Sequence, residues 1–190
     1  MWEVLQRPIQ RGVLAGRASV SLPTGVAVAA SDAAAAPEIM GEALRVEVHR
    51  LYRGSLKLRH VPAGSCNGCE SELQALFSPF HDLQRYGVDI VASPRHADGL
   101  LVTGPVTRHL EEALRLTDEA TPRPRLVIAV GDCACDGGFC RDSFAVNRGV
   151  SAVLPVDVRI PGCPPRPREI IDALLMALGR LSVRRGALGE

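Results

Sequence analysis

The sequence predicts an α/β domain whose mostly parallel sheet is covered by helices on both faces. Short runs rich in Val, Ile and Leu alternate with segments of helical period. The predicted order is strand, helix, two strands, helix, two strands and a last helix, which favours parallel pairing through crossover connections. The 190 residues show no internal repeat and are enough to bury one core. We therefore expect a single domain with an N-terminal extension.

The predicted strands share aliphatic and β-branched residues bounded by Gly or Pro. The clearest is residues 125–130, where Leu126, Val127 and Ile128 are consecutive and apolar. The full set of predicted strands is 56–61, 88–92, 100–102, 125–130 and 156–160.

Three helices are predicted within the domain. Residues 67–78 place apolar side chains on one face and must end before Pro79. Residues 107–120 are amphipathic. Residues 168–178 follow Pro167, which is well tolerated in a first helical turn.

The N-terminal part of the chain is predicted to lie outside the compact domain. Residues 19–41 are rich in Ala, Ser, Pro and Gly, which is typical of a linker, and residues 44–55 are interpreted as a connector into the first strand. We expect an N-terminal arm and linker over 1–55, the compact domain over 56–180 and a tail over 181–190.

Composition restricts the function classes. A net charge of +1 and a pI near 7.7 give no reason to expect nucleic acid as a partner. Trp2, Glu3 and Arg7 occupy the place of a signal-peptide apolar region, and no run reaches the roughly 18 to 20 apolar residues of a spanning helix. We therefore expect a reducing compartment, in which cysteines serve as metal ligands or redox thiols rather than disulfides.

Four cysteines are predicted to meet at one edge of the sheet. Cys66 and Cys69 form a CxxC turn after the first predicted strand, and Cys133 and Cys163 follow the fourth and fifth strands. Glycines flank all three turns. Because ligands of open α/β sheets bind at the carboxyl ends of parallel strands, the three turns are expected to converge.

The spacing favours an iron-sulfur cluster and leaves two alternatives open. A CxxC turn supplies two neighbouring thiolates of a 4Fe-4S cluster, and two distant single cysteines supply the others. A four-cysteine zinc site would typically show two CxxC-like turns, whereas only one is present. A CxxC dithiol enzyme would leave Cys133 and Cys163 without a role.

Four ordered motifs carry a family resemblance. They are GSCNGCE at 64–70, SPRHADGLLVTGPV at 93–106, GDCA at 131–134 and VDVRIPGCPPRP at 156–167. Together they resemble the small-subunit family shared by complex I, as its B-type subunit, and the membrane-bound nickel-iron hydrogenases of the formate hydrogenlyase type. The resemblance covers about residues 56–178.

The resemblance implies a flavodoxin-like domain that holds one 4Fe-4S cluster on Cys66, Cys69, Cys133 and Cys163. It further implies an electron-relay subunit, not a catalytic centre, beside a large catalytic subunit, a ferredoxin-like iron-sulfur subunit and integral membrane subunits. Such a complex would lie on the cytoplasmic side of the cell membrane, with this chain peripheral to it.

The CxxC favours the hydrogenase branch of the family, because the complex I branch usually has adjacent cysteines in this motif. A B-like subunit of a complex I-type NADH-quinone oxidoreductase is the alternative. A non-redox module with a structural four-cysteine metal site is another.

Three further residues near these turns are singled out. Cys135 and Cys140 lie outside the family pattern and are interpreted as spare thiols, although Cys135 is close enough in sequence to replace Cys133 as a ligand. Glu70 abuts Cys69 and is a candidate for proton transfer; the alternative is a first-turn acid favoured by the helix dipole.

Arg95 and His96 lie in the loop before the third predicted strand. We expect this loop to reach either the cluster, a quinone-like pocket or a partner subunit.

Overall fold

The computed structural model describes residues 37–187 and two short strands, β1 (Ser19–Ser21) and β2 (Ala27–Ala29), which pair antiparallel. The other helices and strands are α1 (Pro37–Tyr52), β3 (Leu56–Pro62), α2 (Gly68–Ala75), β4 (Val88–Ile90), β5 (Gly99–Thr103), α3 (Arg108–Ala120), β6 (Leu126–Val130), α4 (Asp132–Asp136), β7 (Val158–Ile160) and α5 (Pro167–Ala187). None of the helices so described is long and apolar enough to cross a membrane.

The main sheet has the strand order β4-β3-β5-β6-β7, and every neighbouring pair is parallel. Renumbered within this sheet, the order is 2-1-3-4-5, which is the flavodoxin-like arrangement. The predicted fold class is therefore confirmed. All five carboxyl ends lie along one edge of the sheet, which we call the cysteine edge because the three cysteine turns follow it.

Hydrophobic cores lie on both faces of the sheet. On one face, Leu58 and Leu101 pack with apolar residues of α1, α2 and α5. On the other face, Leu100 and Val102 pack with Leu114 of α3. Every residue of β5 and β6 is buried, as expected for central strands of a covered parallel sheet.

Helix α1 corrects the expectation of a connector over residues 44–55. Leu44 and Val48 are fully buried and join the core that also contains residues of α5. Val46 is 63% exposed on the opposite side of the helix. The alternation of these three apolar residues with charged ones resembles a strand pattern and hides the spacing of four between the two buried positions. The packed unit therefore begins before residue 56.

Two other bounds differ from the predictions. The segment predicted as a linker contains β1, β2 and the start of α1, and α5 continues to Ala187 rather than ending near residue 178. The expectations for residues 1–18 and 188–190 lie outside the described residues.

Arg95 and His96 lie at the sheet edge opposite the cysteines, because they precede the first residue of β5. They line a cavity of about 440 Å³ together with Asp98 and Asp157. The length of β5 separates them from the cysteine turns, so the expectation that this loop reaches the cluster is wrong.

Candidate metal centre at the cysteine edge

Hydrogen bonds tie two of the three cysteine turns together. Gly131 N donates to Ile160 O at 2.7 Å, and Asp132 N donates to Gly162 O at 2.8 Å. Gly162 N in turn donates to Asp132 Oδ1 at 2.7 Å. The Asp132 side chain therefore ties the turn of Cys133 to the turn of Cys163.

Two glycines leave room for the sulfur atoms. A Cβ placed on Gly131 would lie 2.5 Å from Cys69 Sγ, which is closer than atoms tolerate, and the φ of Gly131 is +90°. A Cβ on Gly138 would lie 3.1 Å from Cys133 Sγ. Only glycine fits at Gly131 without moving the thiol.

Burial and the neighbouring thiols raise the pKa values of Cys69, Cys133 and Cys163. Burial raises the pKa of Cys69 to about 12, with further contributions from Glu70, Cys133, Cys163 and Cys66. Burial also raises the pKa of Cys133 to about 11, and Cys163, Cys140 and Cys66 add to the effect. Burial, Asp132 and Cys66 raise the pKa of Cys163. Every pair among the four predicted ligands therefore interacts.

Because burial and neighbouring groups raise their pKa values, Cys69, Cys133 and Cys163 resist ionising unless a positive charge is placed among them. All six cysteines are free. Among the described residues, no three His, Cys, Asp or Glu side chains are arranged to hold a single metal ion. The donor set of four thiols, and the glycine positions that a side chain would fill, fit a 4Fe-4S cluster.

The two additional cysteines have different surroundings. Cys135 packs against the core on the α3 face, and its Sγ lies 3.9 Å from Ala129 O. Burial raises its pKa to about 12, and the charges that also act on it are carried by Asp132, Arg159 and Asp136. Cys140 is exposed, and it contributes to the raised pKa of Cys133. The interpretation of both as spare thiols remains a prediction.

Glu70 occupies a buried position beside Cys69, with only 9% of its surface exposed. Ser65 Oγ donates a 2.5 Å hydrogen bond to Glu70 Oε1, and Thr103 Oγ1 donates a second, short one to the same oxygen. Burial acts to raise the pKa of Glu70, but the hydrogen bonds from Ser65 and Thr103 outweigh it and the pKa lies below its ordinary value.

His60 completes this polar group. Its Nε2 lies 3.1 Å from Thr103 Oγ1 and 3.7 Å from Glu70 Oε1. Burial lowers the pKa of His60, against the opposing influence of Glu70. Sequence reasoning identified neither Thr103 nor His60 as part of the site. The available signal was the position of both residues near the carboxyl ends of neighbouring strands.

Comparison with known proteins places the chain in a family. Residues 66–177, more than half of the chain, match the family described as NADH ubiquinone oxidoreductase, 20 Kd subunit. The chain belongs to this family. The resemblance predicted from the four motifs is thereby confirmed.

Relatives include subunits of several membrane complexes. "Probable membrane-bound hydrogenase subunit mbhJ" of Pyrococcus furiosus is 48% identical over 65% of this chain and 74% of its own length. Formate hydrogenlyase subunit 7 of Escherichia coli is 39% identical over 77% of this chain and 57% of its own length. A chain of the membrane-bound sulfane sulfur reductase, an archaeal respiratory membrane complex, is 33% identical with a TM-score of 0.60, covering 67% of this chain and 70% of that one.

Proposed function

We propose that this chain is an electron-transfer subunit that carries one 4Fe-4S cluster on Cys66, Cys69, Cys133 and Cys163. The complex to which it belongs is a multisubunit, membrane-associated nickel-iron hydrogenase or a formate hydrogenlyase-like complex. The observation that carries the proposal is the position of the three cysteine turns at the carboxyl ends of β3, β6 and β7, with Gly131 against Cys69 Sγ. Membership in a family of oxidoreductase subunits supports it.

When bound, such a cluster supplies a one-electron redox couple. The residues of this chain hold it and shape its surroundings. The four thiols ligate from three separate turns, so the site forms only when the carboxyl ends of β3, β6 and β7 are aligned. Gly131 and Gly138 leave space around the sulfur atoms of Cys69 and Cys133. Val130 and Ile160, the last residues of β6 and β7, are fully buried, so apolar side chains directly precede two of the cysteine turns.

The proposed partners are a large catalytic subunit, a ferredoxin-like iron-sulfur subunit and integral membrane subunits, on the cytoplasmic side of the cell membrane. The names of the relatives support membership in a membrane complex. One relative belongs to a complex named for the reduction of sulfane sulfur. Relatives of this chain therefore occur in complexes that are named for different reactions.

A B-like subunit of a complex I-type NADH-quinone oxidoreductase is the second candidate, since the family itself is described by that enzyme. The CxxC of Cys66 and Cys69 favours the hydrogenase branch over it. Nickel in the purified complex separates the two candidates.

The test is an anaerobic purification of the chain with its partners, followed by iron and zinc determination and EPR of the reduced sample. About four irons per chain, beyond the iron of the partner subunits, with a reduced 4Fe-4S signal are expected. Zinc in place of these four irons, without the corresponding EPR signal, would overturn the proposal and leave the third candidate, a non-redox module with a structural four-cysteine site.

A further inference from the structure

Glu70 carries a buried negative charge that no cation compensates. Only 9% of the residue is exposed, and Oε2 is buried without a hydrogen-bond partner. Both recorded donors, the hydroxyls of Ser65 and Thr103, bind Oε1. In the part of the chain that the structure describes, no Lys or Arg forms an ion pair with Glu70.

The nearest basic group does not supply the missing charge. His60 Nε2 lies 3.7 Å from Glu70 Oε1. It is also within hydrogen-bond distance of Thr103 Oγ1, at 3.1 Å. Burial of the imidazole favours its neutral form. The ionised form of Glu70 is therefore stabilised by the two hydroxyl donors on Oε1 and not by a cation.

Because Glu70 lies close to the cysteine turns, its negative charge acts on any charge that is added among the four thiols. Glu70 follows Cys69 directly, and Ser65, which binds its carboxylate, precedes Cys66 directly. An anion in a buried site acts more strongly on its neighbours than one in water. Addition of an electron among the thiols adds negative charge next to the carboxylate and is therefore opposed.

We propose that Glu70 is a fixed charge that lowers the reduction potential of the group held by Cys66, Cys69, Cys133 and Cys163. This inference rests on the proposed function. It gives Glu70 a role other than proton transfer, because two hydroxyl donors hold one carboxylate oxygen and stabilise the ionised form. Proton transfer by Glu70 remains a separate prediction.

The test is an equilibrium redox titration of the intact complex, followed by EPR, with wild type and Glu70→Gln. The amide keeps the shape of the side chain and removes its charge. At any set potential we expect the ratio of reduced to oxidised cluster to rise about tenfold, which for a one-electron couple is a positive shift of about 59 mV.

Two control variants separate the effect of the charge of Glu70 from the effect of its side-chain shape and from the effect of removing any acid of this helix. Glu72→Gln removes an acid of the same helix that is partly exposed and has no recorded contact with the cysteine turns, so the potential should stay close to wild type. Glu70→Asp keeps the charge and shortens the side chain, so it should stay much closer to wild type than Glu70→Gln.

The outcomes distinguish the two proposals. A wild-type complex that lacks the four irons assigned to this chain would refute the proposed function. A normal cluster whose potential is the same in Glu70→Gln and wild type would refute only the role of Glu70. Glu70→Ala is measured as a second neutral variant; if neither neutral variant holds iron while Glu70→Asp does, Glu70 is structural and the inference fails.

Discussion

At the scale of single residues, the segment after β6 offers three cysteines, and their surroundings differ. Cys133 interacts with all three other predicted ligands, Cys135 packs into the core, and Cys140 is exposed. Position in sequence alone did not indicate which of Cys133 and Cys135 is the ligand. The difference arises in the structure, because the two residues lie on different sides of the short helix α4.

We expect Cys133→Ser to lower the iron content of the purified complex by up to about four irons per chain, since one of the four ligands is lost. Cys135→Ser and Cys140→Ser should keep the wild-type iron content. Iron content relative to the wild-type complex measures all three variants. Loss of iron in Cys135→Ser with retention in Cys133→Ser would mean that the ligand assignment is wrong.

Gly131 is a second residue whose identity the site requires. In Gly131→Ala the new methyl would meet Cys69 Sγ at 2.5 Å, and the backbone φ of +90° is one that other residues rarely adopt. We expect about 1–3 kcal/mol of destabilisation together with reduced iron content. Denaturant unfolding and iron analysis measure the two effects.

Gly179→Ala is the matched control, because nothing lies within 4 Å of a Cβ at that helical position. It should leave iron content unchanged and not lower stability, since alanine favours helix over glycine. Equal losses in both variants would contradict the steric account of Gly131.

At the scale of secondary-structure elements, α1 is an integral part of the packed unit. Leu44 is fully buried in the core, so Leu44→Ala should leave a cavity and cost about 2–5 kcal/mol of unfolding free energy. Val46, on the same helix, is 63% exposed, so Val46→Ala should change stability by less than about 0.5 kcal/mol. Denaturant unfolding measures both. Similar small effects would show that α1 is not packed as described.

The junction of β3, α2 and β5 predicts a pH dependence. The pKa of His60 in the folded chain lies below its ordinary value of 6.5, with Glu70, Arg59 and Thr103 as its neighbours. The unfolded chain therefore binds this proton at a higher pH than the folded chain. The stability from neutral His60 is fully present above pH 6.5 and declines as the pH falls through the folded pKa.

His60→Gln should flatten this decline, because glutamine does not titrate. Unfolding free energies of wild type and variant, measured at a series of pH values below neutrality, provide the test. An equally steep decline in the variant would assign the effect to other groups.

The cysteine turns could be predicted from the sequence, whereas helix α1 and the contact of Thr103 with Glu70 could not. The cysteine turns were predictable because each ligand follows an apolar strand and is flanked by glycine, so local pattern and topology agree. Helix α1 was not, because Val46 faces solvent between two buried residues and disturbs the helical pattern. The contact of Thr103 with Glu70 depends on the register of β5 beside β3, which no local pattern encodes.

At the scale of the whole molecule, two large exposed apolar side chains lie in one segment near the cysteine turns. Phe139 and Phe144 are 62% and 86% exposed in the segment that follows Cys133 at the cysteine edge. This segment is anchored by Arg108 N donating to Ala145 O at 2.9 Å, so it is held against the start of α3. Exposed aromatic residues on an anchored segment are typical of a protein interface.

If the large partner subunit covers the cysteine edge, as the proposed function requires, these two aromatic side chains become buried on assembly. Phe139→Ser combined with Phe144→Ser should then reduce co-purification of the large subunit about tenfold or more, since buried aromatic side chains dominate interface energies. The iron bound by this chain itself should be unchanged, because neither residue is a proposed ligand. Phe80→Ser is the matched control: Phe80 is 76% exposed but lies between α2 and β4, away from the cysteine turns. Loss of the large subunit in Phe80→Ser, with retention in the double variant, would place the interface elsewhere on the molecule.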